Sequence, residues 1–551
     1  MTLSPCSPHP IVVQASSPQL SVVPAPSEAA ATNETRTVGA SRGIRAGYVE
    51  SGVEPNPAVF DQTPRSGVFP RAGWQNRPTS RPDRFARVGS RPHGHAVELR
   101  VINPADQSCV GTHPYDTEPG IADKLARALE TFRTWRRTPL ADRIEIVQRG
   151  VSVMLERRDR LAREVTEQMG KPLQQALAEV DTLRERAEHM LAIAADVLAP
   201  DQLPKPGHER RIEHVPLGVV LDLAAWNYPL IIAVNVVVPA LVAGNIVLLK
   251  HSAKTPRCGA AFEDAFAGLG PGPLVTNLVL THDAARRLIA TPGVAHVAFT
   301  GSVAGGRQVY TQAAERLIDV GLELGGKDPA YVAADADLEV AVAGIVDGAC
   351  YNAGQSCCGV ERVYVHRSRY AEFVERARAQ LAAYRLGDPL APETTMGPLA
   401  SRSALDLLEA QVSQAVSRGA QLVCGGQRLS DTAGNFFPPT LLTDVANDVD
   451  AMQVESFGPL LPVASVGDDE EALRRIDDTS LGLTASIWTG DPDRAERLAR
   501  AIDAGTVYQN RCDVLDPALP WTGARHSGLG STLSRYGYYA LTRRKAINFR
   551  R

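Results

Sequence analysis

Apolar and polar positions along the chain switch between two periods. Val97-Glu-Leu-Arg-Val-Ile-Asn-Pro104 alternates and stops at Asn-Pro, which predicts a strand. Helical spacing follows over Ile121–Trp135 and Leu140–Glu156. A longer amphipathic run, Leu161–Leu198, is punctuated at Met169-Gly-Lys-Pro172, where Pro172 fits the first turn of a new helix. Arg211–Asp222 reads as one strand and Tyr228–Val242 as a buried helix beginning beside Pro229. Asn245–Lys250 reads as a short strand, Cys258–Leu269 as a helix and Val294–Thr300 as a strand. The habit resumes with strand Ala330–Ala333, helix Val340–Tyr351, strand Arg362–His366 and helix Arg369–Leu386. Strands alternating with helices imply βαβ units on a parallel sheet, an α/β fold. The closing stretch Arg544–Phe549 is a lone alternating strand, which requires a neighbour's sheet or a partner subunit.

Residues 1 to 95 follow neither period. They hold 13 of the 39 prolines, ten arginines against six acids, and predict a disordered extension. Met1 is followed by prolines rather than by a basic and then an apolar region, which argues against a secretion signal. A chain of 551 residues should form two or three domains. Apolar content of 44% and charged content of 22% are those of an ordinary soluble protein. A net charge of −4 with no Lys/Arg block argues against a nucleic-acid partner. The eight cysteines show no CxxC and no Cys/His ligand spacing, which fits the cytoplasm and predicts no bound metal. The most apolar windows, residues 215–225 and 230–249, are broken by Asn227, Pro229, Asn235, Pro239, Gly244 and Asn245, and read as core rather than membrane span.

Candidate chemistry centres on Cys350, Cys357 and Cys358. Cys357 and Cys358 follow the helix-breaking turn Asn352-Ala-Gly-Gln355 and precede a β-branched run. A thiol on such a loop can serve as a nucleophile, whereas a free cysteine elsewhere is usually a small buried hydrophobe. The strand ending at Phe299-Thr300 runs into Gly301-Ser302-Val-Ala-Gly305-Gly306, a turn that can hold a phosphate at a helix N-terminus, although it lacks the GxGxxG fingerprint. Only seven of the 58 basic residues are lysine, so Lys250 at a strand end is a candidate for a ribose or phosphate contact. Glu323, in the apolar turn Gly321-Leu-Glu-Leu-Gly-Gly-Lys327, is a candidate base because desolvation raises a carboxylate's pKa. Asn227, a polar amide in an apolar stretch, is either structural or an oxyanion donor.

Thiol, carboxylate, amide and phosphate turn together suggest oxidation through a thioester, and here the chain resembles the NAD(P)-dependent aldehyde dehydrogenase superfamily over about residues 98–551. The matching segments are Asn352-Ala-Gly-Gln-Ser-Cys357, Leu322-Glu-Leu-Gly-Gly-Lys327, Trp226-Asn-Tyr-Pro229, Phe299-Thr-Gly-Ser302 with Gly306, and Glu455-Ser-Phe-Gly-Pro459. Met396-Gly-Pro-Leu399, Gly505-Thr-Val507 with Asn510, and Ser527-Gly-Leu-Gly530 also match.

The resemblance implies Cys357 as nucleophile, Glu323 as base, and Asn227 with the Cys357 N–H as oxyanion hole. It places Trp226, Lys250, Ser252, Gly301, Ser302, Gly306, Leu324, Glu455 and Phe457 at NAD(P)+. It further implies a Rossmann-type cofactor domain over residues 96–197 and 215–325 and an α/β catalytic domain over residues 326–525. A small oligomerisation β-element would comprise residues 198–214 and 540–551, in a homodimer or homotetramer. A CoA-acylating enzyme is the nearest alternative, and a catalytically silent scaffold or binding member of the family the more distant one. Members that prefer NAD carry a glutamate where this chain has Ala253; with Lys254 beside it, NADP is expected to be accepted at least as well as NAD. Arg511 either anchors a substrate carboxylate or pairs with Asp513, and the adjacent Cys357 and Cys358 could form a redox-sensitive disulfide.

Overall fold

A computed structural model of the protein describes residues 98–551. The extension expected over residues 1–95, together with Val97, lies outside the described residues. An antiparallel hairpin of β1 (Glu98–Ile102) and β2 (Cys109–Pro114) comes first. Four helices follow: α1 (Glu118–Trp135), α2 (Leu140–Glu156), α3 (Arg158–Met169) and α4 (Leu173–Val197). The expected break between the last two falls at Gly170, whose φ of +86° ends α3, and Pro172 sits just before the first residue of α4.

The stretch Arg211–Asp222 is not one strand. It divides into β4 (His208–Pro216), which pairs with the two-residue β3 (Asp201–Gln202), and β5 (Val219–Ala224), which belongs to a different sheet. The chain turns at Gly218, φ +142°, and the Asn245 side-chain oxygen accepts from the Leu217 and Gly218 amides at 2.7 and 3.0 Å. Both halves are extended, so side-chain period carries no mark of the change of sheet. The terminal strand Thr542–Arg550 finds its neighbour in its own chain, pairing with β4 from Thr542↔Pro216 to Arg550↔His208.

The βαβ succession then runs through α5 (Pro229–Ala243), β6 (Ile246–His251), α6 (Pro256–Phe266), β7 (Val275–Asn277), α7 (His282–Ala290), β8 (Val294–Thr300), α8 (Val303–Ala314) and β9 (Asp319–Glu323). The parallel order is β9-β8-β5-β6-β7, with Gly528–Leu529 adding an antiparallel edge on β9. Every residue of β5 is buried, as expected of a strand covered on both faces, and α5 is apolar all round because α2 and α4 pack over it.

A second sheet comprises β10 (Asp328–Val332), β11 (Val360–His366), β12 (Gln421–Cys424), β13 (Thr440–Thr443) and β14 (Leu460–Val466). Its order is β12-β13-β14-β11-β10, continued by Thr484–Trp488 and Thr506–Gln509. Helix α9 (Leu338–Cys350) packs on β11 and β14 and delivers the cysteine turn.

One buried ion pair ties α4 to α5. Lys171 and Glu179 are 1% and 3% exposed, and they are joined by a hydrogen bond between Lys171 Nζ and Glu179 Oε2. Glu179 Oε1 also accepts from Leu230 N at 2.8 Å at the start of α5, and the Lys171 ammonium lies 3.8 Å from the Tyr228 ring centroid. Lys171→Met leaves the Glu179 charge buried without its cation, so it should destabilise the fold by about 3–5 kcal/mol. The expected readout is a lower urea midpoint with an unchanged m-value; an unchanged midpoint would contradict this account.

Candidate active site

After α9 the backbone enters the left-handed region three times in succession, at Asn352 (φ 54°), Ala353 (φ 54°) and Gly354 (φ 69°). Non-glycine residues hold that conformation only where surroundings enforce it. Here Asn352 Nδ2 donates to Asn227 O at 3.0 Å and to Gln355 O at 3.1 Å, while Asn352 N donates to Gln175 Oε1 at 3.0 Å. Gln355 Nε2 donates back to Asn352 O at 3.0 Å, and Gln355 Oε1 accepts from Ala400 N at 2.8 Å. The turn presents Cys357 to a cavity of about 830 Å³.

The three candidate thiols are separated by their surroundings. Cys350 is buried in α9, where burial raises its pKa. Cys358 is buried, and its Sγ donates to Asp513 Oδ1 at 2.8 Å. Hydrogen bonding with Cys357, then burial, then the Asp513 carboxylate hold Cys358 well above a thiol's ordinary pKa. Cys357 is half-buried and lines the cavity. Cys357 and Cys358 are both free thiols, not a disulfide.

Glu323 ends β9 and lines the same cavity. Burial pushes its carboxyl up to about 8, against the lowering effects of the Thr532 hydroxyl, which donates to Oε1 at 3.0 Å, and of the Arg186 charge. Its other oxygen is buried without a partner among the described residues. Asn227 is buried and is joined to the cysteine turn through its carbonyl.

The remaining candidates gather at the carboxyl ends of β5, β6 and β8, where the strand order reverses and where open parallel sheets bind ligands. Ser302 caps α8, its Oγ accepting from Gly305 N at 3.2 Å, so the helix N-terminus faces outward beyond β8. A Cβ on Gly301 would lie 2.6 Å from the Phe299 ring, and one on Gly306 2.6 Å from the Leu324 side chain, so a larger residue at either would have to displace that neighbour. Lys250 is the penultimate residue of β6 and Ser252 follows it, its N donating to Ala224 O at 3.0 Å. Lys254 Nζ donates to Ala400 O at 2.8 Å and lies 5.7 Å from the Trp226 ring centroid. His251 is buried and neutral, burial pulling its pKa down to about 3.

The loop carrying Glu455 and Phe457 is fastened from below. Glu361 accepts from Ser456 N at 2.7 Å, Phe457 N at 2.9 Å and Lys327 Nζ at 2.7 Å. Phe457 (φ 51°) meets the Trp226 ring edge-on at 5.5 Å. Burial pushes Glu455 up to about 8. Glycines that leave room for a backbone approach, a free helix N-terminus and a lysine at the switch point fit a dinucleotide.

Of the two roles read for Arg511, pairing with Asp513 does not occur, and the inward turn of Asp513 and the place of Arg186 escaped the reading of the sequence. Arg511 is exposed and makes no ion pair among the described residues, whereas Asp513 turns inward to accept from Ser356 Oγ at 2.8 Å as well as from Cys358. Burial raises Asp513 to about 6. Arg186 lines the cavity from α4. Its one available signal was position: it falls on the helical stripe of Glu179, Leu183, Ala187 and Met190, where a charge is out of place.

The profile of the aldehyde dehydrogenase family matches residues 92–547. A succinate-semialdehyde dehydrogenase (NADP+) of Deinococcus radiodurans is 37% identical over 448 residues, covering 81% of this chain and 94% of that protein. A probable succinate-semialdehyde dehydrogenase (NADP+) of Synechocystis is 36% identical over 452 residues, 82% of this chain and 99% of that protein. Among solved structures, a succinic semialdehyde dehydrogenase from Streptococcus pyogenes in complex with NADP+ superposes with a TM-score of 0.79 at 30% identity, over 82% of this chain and 100% of that one.

The cysteine turn makes a direct prediction. A Cβ on Gly354 would sit 2.3 Å from the Gly458 backbone as well as in a left-handed conformation. Gly354→Ala should cost at least about 1–3 kcal/mol in strain, lowering the thermal midpoint and slowing alkylation of Cys357 by iodoacetamide. Unchanged melting and alkylation would mean that the turn is not under constraint.

Proposed function

Because the chain belongs to the aldehyde dehydrogenase family, and so oxidises an aldehyde to the carboxylic acid with NAD(P)+, we propose that Cys357 is its nucleophile, Glu323 its base and a short semialdehyde its substrate. The observation that carries the reading is that Cys357 and Glu323 share one cavity wall while the neighbouring Cys358 is engaged by Asp513.

In this reading the Cys357 thiolate forms a bond to the carbonyl carbon. The oxygen, now bearing the negative charge, is stabilised by the Asn227 side-chain amide and the Cys357 N–H; such a donor is typically worth about 3–4 kcal/mol. Lys250 and Ser252 would hold a ribose of NAD(P)+, Gly301, Ser302 and Gly306 its phosphates, Trp226 and Leu324 its length along the cleft and Glu455 and Phe457 its nicotinamide end; bound there, it would accept the hydride lost from the tetrahedral carbon. A thioester remains on Cys357. The Glu323 carboxylate takes a proton from water, the water oxygen attacks the thioester carbon, and Cys357 leaves as thiolate. A base already facing the thioester favours water over CoA as the acyl acceptor.

Ala253 leaves no carboxylate to repel a 2′-phosphate, and Lys254 adds a cation near the end of β6, so NADP+ is proposed as the preferred cofactor. The NADP+ in the names of its relatives supports that choice, and the semialdehyde in those names supports the substrate. The exposed residues of Thr542–Arg550 on β4 support a homodimer or homotetramer joined through this sheet. Among the described residues no helix is long and apolar enough to cross a membrane, and a cytoplasmic enzyme is the reading that accords with free thiols.

Cys357→Ala should abolish NADPH formation, and kcat/KM with NADP+ should equal or exceed that with NAD+. Glu323→Gln should keep a single-turnover burst but lose roughly 10²- to 10⁴-fold in steady-state rate. Deprotonation of Glu323 activates it, so the wild-type rate should rise as pH passes about 8, a limb missing from Glu323→Gln. Turnover surviving in Cys357→Ala, or wild-type turnover that requires CoA, would overturn the assignment.

A further inference from the structure

Arg186 stands out among the buried charges. Among the other buried cations, Lys171 has Glu179 and Lys327 has Glu361, while Arg362, without an anion, donates to the carbonyls of Lys327, Arg475 and Ile476 and to the Tyr364 hydroxyl. Arg186 is only 5% exposed, yet among the described residues it forms no ion pair. Its sole hydrogen bond runs from Nη1 to the neutral amide oxygen of Asn235 at 3.3 Å, and its Nε is buried without a partner. A desolvated guanidinium without a counter-anion is costly unless something supplies one. Nearby Glu179 has both oxygens occupied by Lys171 and the start of α5, and Asp513 faces Ser356 and Cys358. The cation lines the same cavity as Cys357 and Glu323.

We propose that Arg186 is the specificity-determining residue of this cavity, binding the distal carboxylate of a short ω-oxo acid whose aldehyde carbon lies at Cys357. The inference rests on the semialdehyde reading given above and adds the group that recognises the substrate. A guanidinium presents two parallel N–H donors to a carboxylate, so the pairing selects planar dianionic products and their monoanionic aldehydes over uncharged aldehydes of equal length. Asn235 accepts from Nη1, and Nη2, which has no partner among the described residues, is left for the ligand. Ile231, Val236 and Trp488 line the same cavity and suit a short methylene chain between the two ends.

The test compares wild type, Arg186→Met and Arg186→Lys on 4-oxobutanoate and on butanal, each with NADP+. Wild type should prefer 4-oxobutanoate. Arg186→Met should lose roughly 10- to 100-fold in kcat/KM for 4-oxobutanoate, through KM, while butanal changes by no more than about threefold. Arg186→Lys, which keeps the charge and loses the fork, should fall between. An equal loss on both aldehydes would overturn the proposal, because Arg186 would then serve the chemistry at Cys357 or Glu323 rather than the distal end of the substrate. A preference for 4-oxobutanoate that survives in Arg186→Met would overturn it while leaving the semialdehyde reading standing. A wild type without that preference would end both. Should Arg186→Met fail to fold, phenylglyoxal labelling of the wild type decides. Protection of Arg186 by succinate and not by butyrate, mapped by peptide mass, supports the proposal, and equal labelling with both overturns it.

Discussion

The left-handed turn Asn352-Ala353-Gly354 is the constraint on which the chemistry of this chain depends. Such a conformation costs of order 1–3 kcal/mol at a non-glycine residue and persists only where neighbours enforce it. The neighbours here come from distant parts of the chain: Gln175 on α4, Asn227 after β5, Ala400, and the Gly458 backbone against which Gly354 lies. Both sheets therefore contribute to the position of one thiol. A fold that packed either half loosely would lose the turn before it lost the helices.

Burial is the second organising effect, and it acts on each ionisable group differently because each has a different partner. Glu323 keeps a single hydroxyl donor, so desolvation prevails and its carboxyl rises to about 8. Glu179 and Glu361 each combine a buried lysine with backbone amides, and those contacts are structural. Cys358 is held as a thiol by its contacts with Cys357 and Asp513. Arg186 has only an amide. Glu179 and Glu361, with a full set of partners, hold elements together, whereas Glu323 and Arg186, with an incomplete set, line the cavity.

The Lys327–Glu361 pair shows how the two ends of the cleft are kept in register. Lys327 lies four residues beyond Glu323 on the segment leading from β9 to β10, and Glu361 receives the amides of Ser456 and Phe457. The segment bearing the candidate base and the loop bearing Glu455 and Phe457 are thus fastened to one buried charge pair. Movement of either would expose an unpaired ion to an apolar interior, which is a strong restoring force.

What the sequence determined by itself was whatever local pattern or short motif can carry. The period changes located α5, β6, α6, β8, β10, α9 and β11 but not β7, α7, α8, β9 or the strands β12 to β14, and the residues Asn352-Ala-Gly-Gln-Ser-Cys357, Leu322-Glu-Leu-Gly-Gly-Lys327 and Phe299-Thr-Gly-Ser302 marked the segments that meet at the cleft. Tertiary structure alone decided what depends on separation in space. It split Arg211–Asp222 between two sheets at Gly218, since an extended chain has the same period on either side of a sheet change. It turned Asp513 toward Ser356 and Cys358 and left Arg511 exposed, because which neighbour a side chain meets is set by packing rather than by adjacency. It also set Arg186 in the cavity without an anion; helical spacing could place that charge on a buried face, but only the packed neighbours could show that none of them neutralises it.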